Sequence, residues 1–440
     1  MKIGILFEEE FLGVYPSLIN AINLLSPEAK EIEIISSKRP SNFAKAPKFP
    51  ANVNFSKIEQ FLCYDRNAFA LPDHENISYT CERSSKWKAF LPESLKTWYR
   101  AKRVFLLINL ENFDKQKNWF KDKVKYLIFC IKRSLNKEFD TIIAVDGVGI
   151  VAAYLISFFC RHKPLIIFWS LEIDSRQSPQ ISQRLFDYFT SKAIKVADTL
   201  IIQEKSRLKA LCEKFTFNFN QKSIFLVPHS PVASKSTFTK SNFFQRKFSF
   251  SKRDIVILHA GWIHDAMCVD QIAESSKHWK EEYKLVLHER EKRSDTEPFI
   301  QHVISLSNDR VFLSLDPVSF DFIDEVFSSA TIGIIAYDKR YGEGRENAHK
   351  ASGKLGQFLK CGIPVIALNL PGYSEMFENY RCGMAFDDFR NIENCIDAIL
   401  TDYESYHLEA LRCFKEEFDF SKFFNPLLLH IQSFLATKLI

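Results

Sequence analysis

Short β-branched apolar runs alternate with amphipathic stretches along the whole chain, which is the spacing of parallel sheets wound with helices. In the first half the strand candidates are Ile3–Phe7, Ile32–Ile35, Thr141–Val145, Leu165–Phe168, Thr199–Ile202 and Ile224–Val227, with helices over Gln183–Ala197 and Ser206–Lys214. The series pauses in a polar segment from Val232 to Arg253, then restarts at Asp254–Ala260. It continues through Tyr283–His288, Val311–Leu313, Ile332–Ala336 and Pro364–Ala367. The pause reads as an interdomain linker. From Phe418 to Leu439, aromatic and aliphatic residues recur at helical spacing around Asn425-Pro426. The expected organisation is a first domain over 1–235, a second over 236–417, and a C-terminal helix over 418–440 that packs back on the first domain.

Length agrees with that division. A chain of 440 residues with 46% hydrophobic composition exceeds one hydrophobic core and can bury two. The first residues, Met1 to Phe7, turn acidic at Glu8-Glu9-Glu10 before a signal-peptide apolar region forms, so they read as a first strand and not as an export signal. The longest apolar run, Val148 to Cys160, ends at Arg161-His162-Lys163 and falls short of the roughly 20 residues that span a bilayer. These features predict a cytoplasmic chain without a transmembrane segment. Its 10 cysteines lie scattered, mostly in apolar segments, as expected of buried thiols in a reducing compartment. No C-x-x-C pair or H-E-x-x-H supports a zinc site.

The stretch from Ser352 to Ala367 is the most informative. Ser352 precedes an apolar stripe at Leu355, Phe358 and Leu359, and Gly362 followed by Pro364 ends the helix. Pro364–Ala367 then reads as a buried parallel strand, and Asn369-Leu-Pro-Gly372 as the turn at its C-terminal end, the edge where open α/β sheets bind ligands. A helix N-terminus at Ser352, Gly353 and Lys354 offers unpaired N–H groups, a hydroxyl and an ammonium, which together suit a phosphate-bearing ligand.

The second half, from about Asp254 to Leu400, resembles the donor-binding domain of GT-B glycosyltransferases, in particular the family 4-like group that uses nucleotide-sugar donors. The resemblance lies in His259-Ala-Gly261 as a strand and glycine turn, in Tyr283–His288 as the next strand, in Phe320 to Ile335 as a helix passing into a strand, and above all in Asn347 to Ala367. Ala197 to Arg207, Phe225 to Pro231 and Phe168-Trp-Ser-Leu-Glu172 resemble the acceptor domain more loosely. The implied fold class is α/β, two doubly wound Rossmann-like domains facing across a cleft, with the acceptor domain first and the donor domain second. The resemblance departs at Gln357, where relatives carry a ribose-binding glutamate, and at His349, where another glutamate often lies.

The implied activity is transfer of a hexose-type sugar from a nucleotide diphosphate-sugar to a hydroxyl acceptor, in polysaccharide or glycoconjugate assembly. The donor is a substrate, and no separate cofactor is implied. Two other readings of the same fold stand beside this one: a non-catalytic GT-B subunit partnering another transferase, and a nucleotide-sugar 2-epimerase.

Metal-independent transfer needs protein cations on the leaving diphosphate, which singles out Lys354 and Arg345. No D-x-D cluster falls at a strand end. The donor-binding candidates are Gly261, Arg345, Asn347, Ser352, Gly353, Lys354, Gln357, Gly372 and Tyr373. For catalysis, carboxylates following first-domain strands are considered: Glu8, Glu9 and Glu10, Asp146, Glu172 and Asp174. Glu172 and Asp146 come first. A surface-loop role would account for any single one of them.

Charge then adds one feature, because the net charge is only +5 but is unevenly placed. Lys115, Lys117, Lys121, Lys123, Lys125, Lys132, Arg133 and Lys137 interleave with Trp119, Phe120, Tyr126, Leu127, Ile128 and Phe129, a basic amphipathic helix. Lys86, Trp87, Lys88, Trp98, Arg100, Lys102 and Arg103 form a second basic and aromatic cluster. A solvated face on a core helix is one reading. The other is peripheral docking on an anionic membrane at its cytoplasmic face, to reach a lipid-linked acceptor. No nucleic-acid module accompanies the charge.

Overall fold

The computed structural model describes residues 1–8, 15–38, 48–59, 113–135, 137–173, 181–219, 222–233 and 240–438. The chain divides into two compact units, residues 1–59 with 126–440 and residues 60–125. The described part of the smaller unit belongs to the helix Phe113–Ser134. The basic cluster between Lys86 and Arg103 lies outside the described residues.

The larger unit carries two parallel sheets. The first holds β1 (Lys2–Leu6), β2 (Glu31–Lys38), β3 (Val53–Glu59), β4 (Thr141–Val145), β5 (Leu165–Trp169), β6 (Thr199–Ile202) and β7 (Ser223–Leu226), in the order β3-β2-β1-β4-β5-β6-β7. The second holds β8 (Ile255–Gly261), β9 (Tyr283–Glu289), β10 (Val311–Ser314), β11 (Ile332–Ile335), β12 (Val365–Leu368) and β13 (Gly383–Phe386), in the order β10-β9-β8-β11-β12-β13. Both orders reverse direction once, between β1 and β4 and between β8 and β11. In open α/β sheets that switch point leaves a crevice at the strands' C-terminal ends. Central strands such as Thr141–Val145 and Leu165–Trp169 are buried along their full length, which is why they read as unbroken apolar runs.

Each sheet has its own core. In the first, Ile3, Ile5, Ile143, Leu165, Ile167 and Trp169 pack on helix Pro16–Leu25 and on the C-terminal helix Phe420–Lys438, which contributes Phe420, Phe424, Leu427 and Ile431. Trp169 meets Phe420 and Phe424 at ring-centroid distances of 6.4 and 6.2 Å. Each such fully buried side chain contributes about 1.5–3 kcal/mol. The second core is built on Val256, Leu258, Leu285, Leu287, Ile332, Ile334, Phe358 and Ile366.

Two sequence expectations change. Two edge strands were missed, β3 because Val53–Glu59 alternates polar and apolar residues with a largely exposed face, and β13 because Gly383–Phe386 is short and opens on glycine. The polar stretch from Val232 to Arg253 is not linker throughout. It contains the helix Phe243–Phe248, whose Phe244 is fully buried in the second core. A third expectation holds: the apolar run Val148–Cys160 lies mostly in the helix Asp146–Ser157 behind β4, and among the described residues no helix is long and apolar enough to cross a membrane.

Candidate functional site

The strand ends of the second sheet converge on a cluster of cations resting on aromatic rings. β8 ends at Gly261, whose φ of +121° is open to glycine and whose missing Cβ would meet nothing within 4 Å. The next residue, Trp262, stacks on His264 at 3.8 Å between centroids and carries the Arg290 guanidinium at 5.6 Å. Tyr337, just beyond β11, holds Lys354 Nζ at 5.0 Å and Arg345 at 5.9 Å from its ring centre. Among the described residues, Lys354, Arg345 and Arg290 have no carboxylate partner.

Lys354 occupies the first turn of the helix Gly353–Lys360, next to Met267 Sδ at 4.0 Å. Burial, followed by repulsion from Arg345 and Arg290, pulls its ammonium down to about 7. The helix N-terminus opposes a cation as well. An anion placed among these groups would relieve all of these costs. Ser352 stands at the N-cap position, but its hydroxyl does not cap the helix; it pairs with Tyr337 Oη at 2.7 Å. The hydroxyl therefore positions the aromatic floor, and the N–H groups of Gly353 and Lys354 have no acceptor among the described residues.

Several proposed donor contacts are placed elsewhere. The Gln357 side chain, only 6% exposed, donates its amide to Asp324, which also binds Lys360 Nζ at 2.8 Å. Its amide is thus already committed to a neighbouring helix, where a ribose contact would need it free. Tyr373 is fully buried, and its N–H donates to Leu370 O at 3.1 Å, so that amide does not face a ligand. A Cβ on Gly372 would lie 2.3 Å from His349 Nδ1, so this glycine makes room for the histidine. His349 Nδ1 in turn approaches Glu204 Oε2 at 2.9 Å without hydrogen-bond alignment. Gly353 likewise admits a protein group: a Cβ there would lie 2.8 Å from the His229 ring. Burial pushes that imidazole down to about 4, so it is neutral at physiological pH.

Across the crevice, the first domain presents the loop Ser170–Ile173 beyond β5. Asp146, at φ +53°, opens the helix behind β4, and its Oδ1 accepts from Leu171 N at 2.7 Å and Glu172 N at 3.0 Å. Desolvation raises the Asp146 carboxyl to about 7, with the Glu172 charge adding to it and the two N–H bonds opposing it. Its Oδ2 accepts no hydrogen bond among the described residues. Glu172 itself is exposed, and its charge reaches both Tyr337 and His229. The structure therefore gives the two leading carboxylates different surroundings: Asp146 is desolvated and tethers the loop, and Glu172 is solvated at its tip. Glu8 is buried at the end of β1, whereas Glu9, Glu10 and Asp174 lie outside the described residues.

Sequence reasoning did not find Arg290, Tyr337 or a role for His229. The available signal was their place one to three residues past a strand end on the ligand edge of each sheet. The basic helix is also partly structural. Tyr126 and Cys130 are buried, Arg133 reaches Ser56 Oγ at 2.9 Å, and Lys137 binds the buried Glu33 at 2.7 Å. Among the described residues, no group of three His, Cys, Asp or Glu side chains is arranged to hold a metal ion.

With this geometry in place, the fold can be named: it is the two-Rossmann GT-B fold of glycosyltransferases. Sucrose-phosphate synthase from Thermosynechococcus elongatus superposes with a TM-score of 0.63 at 11% identity, over 99% of this chain and 100% of that one. HepE of Anabaena, solved in complex with UDP and glucose, gives 0.63 at 11% identity, over 98% and 100%. A UDP-forming α,α-trehalose-phosphate synthase from Burkholderia vietnamiensis gives 0.59 at 10% identity, over 98% and 100%. No protein-family model and no curated protein sequence matches the chain.

Proposed function

We propose that this chain is a glycosyltransferase that binds a nucleotide diphosphate-sugar at the ends of β8, β9 and β11 and transfers the sugar to a hydroxyl acceptor held by the first domain. The observation that carries this reading is the cation cluster Lys354, Arg345 and Arg290, in which none of the three forms an ion pair among the described residues, set beside the N–H groups of a helix start, with the buried Glu289 charge offsetting it only in part. Assembling such charges costs stability unless an anion completes them, and the leaving group of this reaction is a diphosphate whose charge grows as the glycosidic bond breaks. The Anabaena structure contains UDP and glucose, and we assign the same donor class here. A carboxylate of the Asp146–Glu172 pair would accept the proton of the attacking hydroxyl.

A thermal-shift screen with UDP, GDP, ADP and their sugars tests the donor reading. A ligand at 100 times its Kd adds about 2.7 kcal/mol of stability, so at least one nucleotide diphosphate should raise the melting temperature visibly. No shift with any of them at millimolar concentration would sink the reading. Binding without transfer or donor hydrolysis would indicate the non-catalytic subunit, and inversion of the sugar without a glycoside would indicate the epimerase.

We further propose peripheral docking on an anionic membrane. Besides the basic helix, Phe158 and Phe159 stand 64% and 58% exposed directly ahead of Arg161-His162-Lys163, and Leu135 is 54% exposed. Each lysine near an anionic surface contributes on the order of 1 kcal/mol, decaying over a Debye length. The chain should sediment with anionic vesicles at low salt, less as salt rises, and little with neutral ones. Charge reversal at Lys121, Lys123 and Lys125 should release it with nucleotide binding intact. Failure of the wild-type chain to sediment at low salt would leave the basic face merely solvated.

A further inference from the structure

We propose that Arg207 is a positioning residue that straps the loop carrying Glu172 to the loop carrying Arg345, so that the acceptor and diphosphate sides of the site are assembled together. The inference deepens the donor and acceptor assignment above and rests on it for its catalytic meaning. Arg207 lies on the first-domain helix Lys205–Phe215 and is only 2% exposed. Its guanidinium spends its donors on four partners. Nε donates to Gln203 Oε1 at 2.7 Å, Nη2 to Leu171 O at 2.8 Å, and Nη1 to Gly344 O at 3.1 Å and Asn347 O at 3.4 Å.

Leu171 immediately precedes Glu172, and Gly344 immediately precedes Arg345. One rigid fork therefore holds the peptide carbonyls adjoining a candidate base and a candidate diphosphate cation that belong to different domains. Gln203 stiffens the arrangement by donating to Ser170 O at 2.8 Å, and Asp146 secures the same loop through its N–H groups. The two loops also touch directly: a Cβ on Gly344 would lie 2.4 Å from Ile173 O, so only glycine permits the approach. Neighbouring Asp146, Glu172 and Glu204 balance the buried guanidinium charge. The fork geometry is specific to arginine, because a lysine ammonium cannot span acceptors on both loops.

The test combines three readouts on Arg207→Ala, Arg207→Lys and Gly344→Ala: hydrogen exchange of residues 170–173 and 342–351, nucleotide diphosphate binding, and turnover measured as transfer or donor hydrolysis. Exchange in both segments should quicken at least tenfold in all three variants. Nucleotide affinity should weaken by up to about tenfold, because Arg345 loses its placement while Lys354 and Arg290 stand on other elements, and turnover should fall at least a hundredfold, well beyond that loss. Arg207→Lys should recover little. A general loss of folding would move binding and turnover together, and Gly344→Ala, which leaves Arg207 in place, then decides the matter. Unchanged exchange in both segments of a folded variant overturns the strap. If the wild-type chain binds no nucleotide while the exchange result holds, the donor assignment falls and the strap stands.

Discussion

Lys354→Met is expected to weaken nucleotide diphosphate binding by roughly 10- to 100-fold while raising the stability of the ligand-free protein. A charge-assisted hydrogen bond contributes about 1.5–3 kcal/mol to the bound state, and this ammonium is proposed to meet phosphate. In the free protein it is a desolvated cation among Arg345 and Arg290 at a helix N-terminus, held down to about 7. Replacing such a charge by an apolar side chain of similar size stabilises by about 1–3 kcal/mol. Between the folded value near 7 and the unfolded value near 10.5, the unfolded chain binds the extra proton. This group therefore makes wild-type stability rise with pH through that window. The gain of Lys354→Met should accordingly be largest near neutral pH and below, and smaller in alkali. Binding of a diphosphate pulls a proton back onto Lys354, so affinity should fall as pH rises above about 7. Calorimetry in buffers of different ionisation enthalpy would register the uptake. Nucleoside binding should change little, and equal losses for nucleoside and diphosphate would refute the placement of this lysine.

Asp146→Asn separates holding a loop from accepting a proton. The amide oxygen can still accept from Leu171 N and Glu172 N, so the loop geometry survives, whereas the basic oxygen is lost. If Asp146 is the base, turnover should drop about 10²- to 10⁴-fold with nucleotide binding preserved, and the acid limb of the wild-type pH profile near 7 should vanish. The stability sign is opposite to the usual carboxylate. Because burial raises this group from 3.8 to about 7, the native state holds the proton between those values, and stability is lost as pH climbs through them. The asparagine variant should therefore melt higher than wild type at pH 8, with the difference closing toward pH 4. Turnover within threefold of wild type would transfer the base role to Glu172, and Glu172→Gln would then carry the loss.

The residues around Lys354 show how far local chemistry reaches. The helix start, the αL exit at Gly362 and the strand after Pro364 were legible because capping, glycine geometry and apolar periodicity act within a few residues. Side-chain direction was not legible. Gln357 occupies the position where the resemblance placed a ribose contact, yet it binds Asp324, a partner 33 residues away whose proximity depends on how two helices pack. Ser352 reads as a cap and instead supports Tyr337, for the same reason.

The sequence by itself determined the alternation of buried strands and amphipathic helices, the two-core division and the sheet edges where Gly261, Lys354 and Asp146 fall. These follow from periodicity, length and turn chemistry, which are written into neighbouring residues. Only the tertiary structure decided which charges meet. It gathered Arg290 from the end of β9 with Arg345 and Lys354 from two helical segments between β11 and β12, desolvated the Asp146 carboxyl behind its own loop, and set Arg207 between Leu171 and Gly344. Electrostatics and desolvation act through space over a few ångströms, so they depend on contacts between distant segments, such as Arg207 and Gly344, 137 residues apart, which no local pattern specifies.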